Sequence, residues 1–333
     1  MAELLRAALA ERFREGEPGA CAALIRDGAL AELACVGLAD PARRLACGPD
    51  VNFRLASVSK QFTAMALLIL RERGLLGLDE TVEEVLPGRP AFGRGVTLRM
   101  LARHLSGLPD YEELMPEGRT EQVVDAEIPA LVAAKPEGYF APGSAYRYSN
   151  TGYALLALAV EARSGRRFSR FVKDEIFLPL GMADSGYVER EGGEPVARRA
   201  YGFARDGDGS FRPADQSPTS AVLGDGGVYT SILDYAKWDE ALYGEVLVPR
   251  AAMEECFRPG RLADGSPVAY GFGWRLAELD GRLLATHNGE TTGFNAAVRR
   301  LPSARSTLVV LANRSGDVAH RVADELAPRL LPR

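Results

Sequence analysis

The chain has 333 residues, 47% of them hydrophobic, enough for a large core and for two structural lobes. Its formal net charge of −5 gives no electrostatic reason to bind nucleic acid or an anionic membrane. The longest apolar run, residues 64–70, is far short of a bilayer span. Residues 1–16 alternate charged and apolar positions instead of forming a secretory leader, so the expected location is the cytoplasm.

The N-terminal pattern predicts a helix over 3–15. Two strands follow, at 19–26 and 29–37, as a hairpin turning at Asp27-Gly28. If Arg26 pairs with Ala29, Cys21 faces Ala34 and Cys35 faces Ala20. Neighbouring strand residues point to opposite faces, so these cysteines are not expected to bridge. With Cys47 and Cys256 they read as reduced thiols. A helix is predicted from Ser57 to Arg73, stopped by Gly74. Its apolar residues run nearly all the way round, which marks a buried helix.

From about 79 to 219 the pattern is helical segments between Pro/Gly breaks, and 201–220 reads as a long surface loop. A helix follows near Ser231, capped with Asp234. Four strand patterns then come in series, "YGFGWRLAEL", "RLLATHNG", "GFNAAVRRL" and "TLVVLANR", before a final amphipathic helix. The expected fold is therefore α/β (α+β). Residues 1–78 and 220–333 form one lobe around an antiparallel sheet flanked by helices, and 79–219 form an inserted all-α lobe.

The stretch "ASVSKQFTAM" places Ser57 and Lys60 three positions apart at a helix start, where they share a face. A serine hydroxyl barely ionises at neutral pH and needs a base within reach. Lysine serves only if its proton is easily lost, as burial favours. The helix N-terminus adds N–H groups that suit an oxyanion. The competing reading is a capping serine and a snorkelling lysine, and so short a motif is weak alone. Lysine usage favours catalysis. Of 40 cationic residues only Lys60, Lys135, Lys173 and Lys237 are lysine, and arginine cannot act as a base.

Two later motifs are candidates. In "YRYSNTGYALL", Tyr148 could relay protons and Asn150 could hold both lysine and substrate, while Asn150 or Thr151 could equally be an ordinary N-cap. In "THNGETTGFN", Gly289 lets a ligand approach the strand. His287 could meet an anionic substrate group or be a satisfied structural residue. In the first case kcat/KM falls as pH rises through about 6 to 7. No G-x-S-x-G elbow, H-E-x-x-H zinc motif or phosphate loop occurs, and no cofactor or metal is expected.

In combination, Ser57-x-x-Lys60, Tyr148-x-Asn150 and His287-x-Gly289 resemble the penicillin-recognising serine hydrolases, in the branch of the class C β-lactamases, family VIII carboxylesterases and D-aminopeptidases. Phrases such as "LARHLSGLPDY", "GDGGVYTSILDYAKW" and "YGFGW" extend the resemblance from about residue 15 to 315. The resemblance implies a β-lactamase/transpeptidase-like fold with the active site in a cleft between the lobes. It implies Ser57 as nucleophile, Lys60 as general base and Tyr148 as proton relay. Asn150 would orient Lys60 and the substrate, and the N–H groups of Ser57 and Glu290 would form the oxyanion hole. The substrate would be a small ester, amide or β-lactam. Where β-lactamases usually carry Lys-Thr-Gly, this chain has His287-Asn288-Gly289, which points away from efficient penicillin hydrolysis.

Overall fold

A computed structural model describes residues 2–88, 90–135 and 137–331. Its centre is a six-stranded antiparallel sheet built from the two ends of the chain. The strands are β1 (Ala20–Arg26), β2 (Ala29–Val36), β3 (Arg275–Leu279), β4 (Arg282–Thr291), β5 (Phe294–Leu301) and β6 (Ser306–Ala312), in the spatial order β3-β4-β5-β6-β1-β2. Strict alternation divides its side chains between two cores. On one face Ala20, Ala22 and Leu24 of β1 meet the helices α1 (Ala2–Ala10) and α5 (Val318–Leu330). On the other, Cys21, Ala23 and Ile25 join the main core around α2 (Lys60–Glu72). Every residue of α2 from Lys60 to Leu70 is buried, as its all-round apolar pattern predicts.

Three expectations change in detail. α1 stops at Ala10, and Phe13 continues into the core by packing beneath the Arg314 guanidinium. Residues 201–220 are not simply a loop: Phe203–Arg205 and Phe211–Pro213 pair around the Asp/Gly turn between them. The hairpin β1–β2 begins with Arg26 opposite Ala29, as predicted, but its register shifts between Leu24 and Ile25. One extra residue enters the ladder there and every later pair slips by one. Cys21 therefore lies directly opposite Cys35 and forms a disulfide with it, which overturns the reading of both as free thiols. Cys47 and Cys256 are free.

Between residues 79 and 219 the elements are mostly short helices around the long α3 (Asn150–Ser164), which packs against α2. Ser231 caps α4 (Ile232–Ala241) by accepting from Asp234 N–H. A three-stranded ribbon, Phe53–Arg54, Val228–Thr230 and Gly186–Tyr187, carries the chain to the start of α2. Among the described residues no helix is long and apolar enough to cross a membrane.

Candidate active site

Ser57 sits on a 3-10 turn, Ala56–Ser59, that opens directly into α2. In such a turn side chains three apart eclipse, so Ser57 and Lys60 line up more closely than on the α-helix the sequence predicts. Lys60 Nζ lies 3.0 Å from Ser57 Oγ. Ala56, the residue before Ser57, is held at φ +47°, a left-handed conformation that costs an alanine about 1–2 kcal/mol. Lys60 is wholly buried and also donates to Asn150 Oδ1 and the Asp225 carbonyl, each at 2.8 Å. Both partners are pure acceptors. They occupy two N–H groups and leave the third position of the nitrogen facing Ser57. A neutral amine keeps both donated bonds and turns its lone pair to the serine hydroxyl.

Asn150 is the first residue of α3, and Ser149 before it makes no side-chain cap bond. The ordinary N-cap reading therefore gives way to a different arrangement. Asp110 Oδ2 accepts the Asn150 N–H at 2.7 Å, while Thr151 Oγ1 donates to Pro109 O and accepts from Tyr111 N. The Asn150 side chain is left free for Lys60. The Tyr148 ring centroid is 5.1 Å from Lys60 Nζ, and its hydroxyl is buried without a hydrogen-bond partner among the described residues. Tyr146, two residues earlier, is 37% exposed.

The third motif lies on β4. β3 pairs with β4 only as far as Thr286, so residues 287–291 extend past it. Gly289 comes so close to the serine turn that a Cβ there would lie 2.0 Å from Leu55 O. His287 is 1% exposed. Its Nδ1 lies 2.7 Å from the Asn288 carbonyl, which can only accept, so the proton is on Nδ1 and Nε2 accepts from Tyr270 Oη at 2.9 Å. Burial, helped by Lys60, pushes its pKa down to about 3. The expected loss of activity between pH 6 and 7 from His287 titration is therefore overturned: the ring is neutral throughout that range.

Ser57, Asn150 and Glu290 line a narrow cavity with Arg54, Glu112 and Asp225. A roomier cavity bounded by Leu86, Pro129, Leu158 and Arg166 contains no nucleophile, so size does not locate the chemistry. Three carboxyl groups, Glu112, Asp225 and Glu290, line this cavity against the single guanidinium of Arg54. Tyr111 Oη donates to Asp225 Oδ2, and Asn150 Nδ2 donates to Glu112 Oε1 at 3.2 Å. Burial pushes Asp225 up to about 6 against the pull of Lys60. Glu112 reaches solvent along part of its length, yet its carboxyl is pushed up to about 7, by burial first and then by Asp225 and Asp110.

Asp125 supports this cavity from behind. Its carboxyl accepts the N–H groups of Leu223 (2.8 Å) and Gly224 (3.1 Å), which open the short turn carrying Asp225. Burial pushes it up to about 7. A carboxyl whose folded pKa is raised contributes stability below its unfolded pKa and loses it as pH rises through the folded one. The urea midpoint is therefore expected to fall between about pH 4 and about pH 7, and Asp125→Asn to flatten that fall. A midpoint that rises over this range in the wild type contradicts the assignment.

The motifs do not reveal Asp225, Glu112 or Tyr111. Asp225 meets Lys60 through a main-chain carbonyl, which leaves no residue-type signature. Its phrase "GDGGVYT" is nonetheless informative, because Gly224 packs so tightly that a Cβ would lie 2.3 Å from Tyr153 O.

An antiparallel sheet covered by helices on both faces, with a Ser-x-x-Lys pair held by an asparagine amide and a carbonyl, defines a β-lactamase-fold serine hydrolase. The chain belongs to the beta-lactamase family, whose model matches residues 3–331. It is 36% identical over 289 residues to penicillin-binding protein 4* of Bacillus subtilis, covering 81% of this chain and 62% of that protein. It is 28% identical over 311 residues to the D-aminopeptidase of Brucella canis, covering 91% and 57%. The chain thus spans about three-fifths of the length of these curated relatives. Among solved structures, the D-amino acid amidase of Ochrobactrum anthropi SV3 complexed with L-phenylalanine amide superposes with a TM-score of 0.79. Identity is 26%, covering 99% of this chain and 96% of that one.

Proposed function

We propose that the protein cleaves an ester or amide through an acyl-enzyme on Ser57, as an esterase or peptidase-like hydrolase with weak or no β-lactamase activity. The observation that carries this reading is the bonding of Lys60, whose two outer partners can only accept and whose third direction faces Ser57 Oγ. As Ser57 Oγ attacks the carbonyl carbon, its proton passes to Lys60. The oxyanion is received by the N–H groups of Ser57 and Glu290. The C–O or C–N bond then breaks, Tyr148 Oη gives its proton to the leaving group, and Lys60 returns a proton to Tyr148. Water repeats the sequence on the acyl ester and regenerates Ser57.

Cavity charge supports a substrate class. Glu112 and Asp225 favour a substrate that carries an ammonium group beside the scissile carbonyl and oppose a carboxylate, while neutral His287 adds no positive charge. The amidase and aminopeptidase relatives agree with a small amino-acid amide. Glu112→Gln is expected to raise KM for D-alanine p-nitroanilide about 10-fold and to leave p-nitrophenyl acetate within about 2-fold. In the wild type the KM of the cationic substrate falls as pH rises through about 7, when Glu112 ionises. Equal effects on the two substrates contradict this recognition. The likeness to a penicillin-binding protein favours a second reading, covalent penicillin recognition. A fluorescent penicillin that labels Ser57 and stays attached, with neither substrate turned over, would select it.

A further inference from the structure

His104 lies outside all three motifs and touches neither Ser57 nor the cavity beside it. It adopts φ +59°, left-handed backbone that a histidine rarely takes. Its ring packs against Tyr153 and Tyr270, and three further contacts fall on one short segment. The His104 carbonyl accepts the Arg147 N–H at 3.1 Å, and ring Nδ1 accepts the Ser149 N–H at 3.2 Å. The imidazole also stacks on the Tyr148 ring, with centroids 4.2 Å apart and planes 33° from parallel. One residue therefore holds the backbone on both sides of Tyr148 and the face of its ring.

Because Nδ1 accepts, the ring proton is on Nε2, which is buried without a partner among the described residues. His104 is 2% exposed, and burial first of all holds its pKa well below the ordinary histidine value. The Nδ1 lone pair stays available at neutral pH. Two unusual features, a left-handed backbone and a buried N–H left unbonded, are thus tolerated at the residue that braces the tyrosine.

We infer that His104 is a positioning residue for Tyr148: it clamps residues 147–149 and stacks the phenol so that the ring stays against Lys60 with its hydroxyl free for proton transfer to the leaving group. The inference rests on the reading of Tyr148 as proton relay. Its signature is dependence on the leaving group. An amine or alkoxide needs the relayed proton, whereas p-nitrophenolate leaves without one.

The test compares His104→Gly with His104→Asn. Both residues tolerate positive φ, but only asparagine keeps an acceptor near Nδ1. Glycine is expected to lower kcat on an amide or alkyl ester about 10–100-fold, with KM within about 3-fold and p-nitrophenyl acetate turnover little changed. Asparagine is expected to recover most of the loss. Tyr148→Phe is run alongside. If it shows no leaving-group dependence, the relay reading itself fails. If it does and His104→Gly does not, only the positioning role is overturned. Should the glycine variant not fold, His104→Gln takes its place, with its acceptor displaced by one bond. Selectivity equal in the glutamine, asparagine and wild-type proteins would overturn the role equally.

Discussion

Lys60→Arg is expected to lower kcat/KM by at least about 10³-fold while the protein still folds. The substitution keeps donors for Asn150 Oδ1 and the Asp225 carbonyl. It removes only the capacity to take a proton, since a guanidinium does not deprotonate at working pH. If Lys60 served merely as a fixed charge beside the nucleophile, arginine would preserve much of the activity. The arginine is larger and the site is fully buried, so overpacking of about 1–3 kcal/mol is expected as well. Thermal unfolding therefore accompanies the kinetics. Loss of acylation in a protein that still unfolds cooperatively supports the base. Activity within 10-fold of wild type contradicts it.

Gly289→Ala is expected to lower kcat/KM about 100-fold and the melting temperature by several degrees. An added methyl would lie 2.0 Å from Leu55 O and 3.3 Å from Ala56 Cβ, so β4 or the serine turn must move. Leu55 and Ala56 lead directly into Ser57, and Ala56 already holds a left-handed conformation, so the turn has little freedom to adjust. The next residue, Glu290, is the proposed second oxyanion donor. Displacing it by about 1 Å spoils a hydrogen bond that matters most in the transition state. The loss should therefore appear in kcat more than in KM. A variant with wild-type kcat would show that this close approach has no catalytic consequence.

These two sites also show what the amino-acid pattern can and cannot convey. Ser57, Lys60 and Asn150 are recognisable because the proposed chemistry would use those side chains at helix starts, and the structure brings all three within hydrogen-bond reach. The sheet and the buried α2 follow from two plain periodicities, alternation and all-round apolarity. The Cys21–Cys35 bridge was hidden by a single bulge, which carries no sequence signal in "ALAELACV" and reverses which residues face one another. Asp225 was hidden because it reaches Lys60 through its main chain. The sequence leaves the role of His287 open because its charge state depends on burial and on Tyr270, 17 residues away in sequence.

The most direct test of the account is the mass of the intact protein after brief exposure to an activated ester such as p-nitrophenyl butyrate or to a fluorophosphonate. The wild type is expected to gain one acyl or phosphonyl group, mapped to the peptide containing Ser57, and Ser57→Ala to gain none. A label of equal stoichiometry on Ser57→Ala, or one mapped to another serine, would contradict the assignment of Ser57 as the nucleophile.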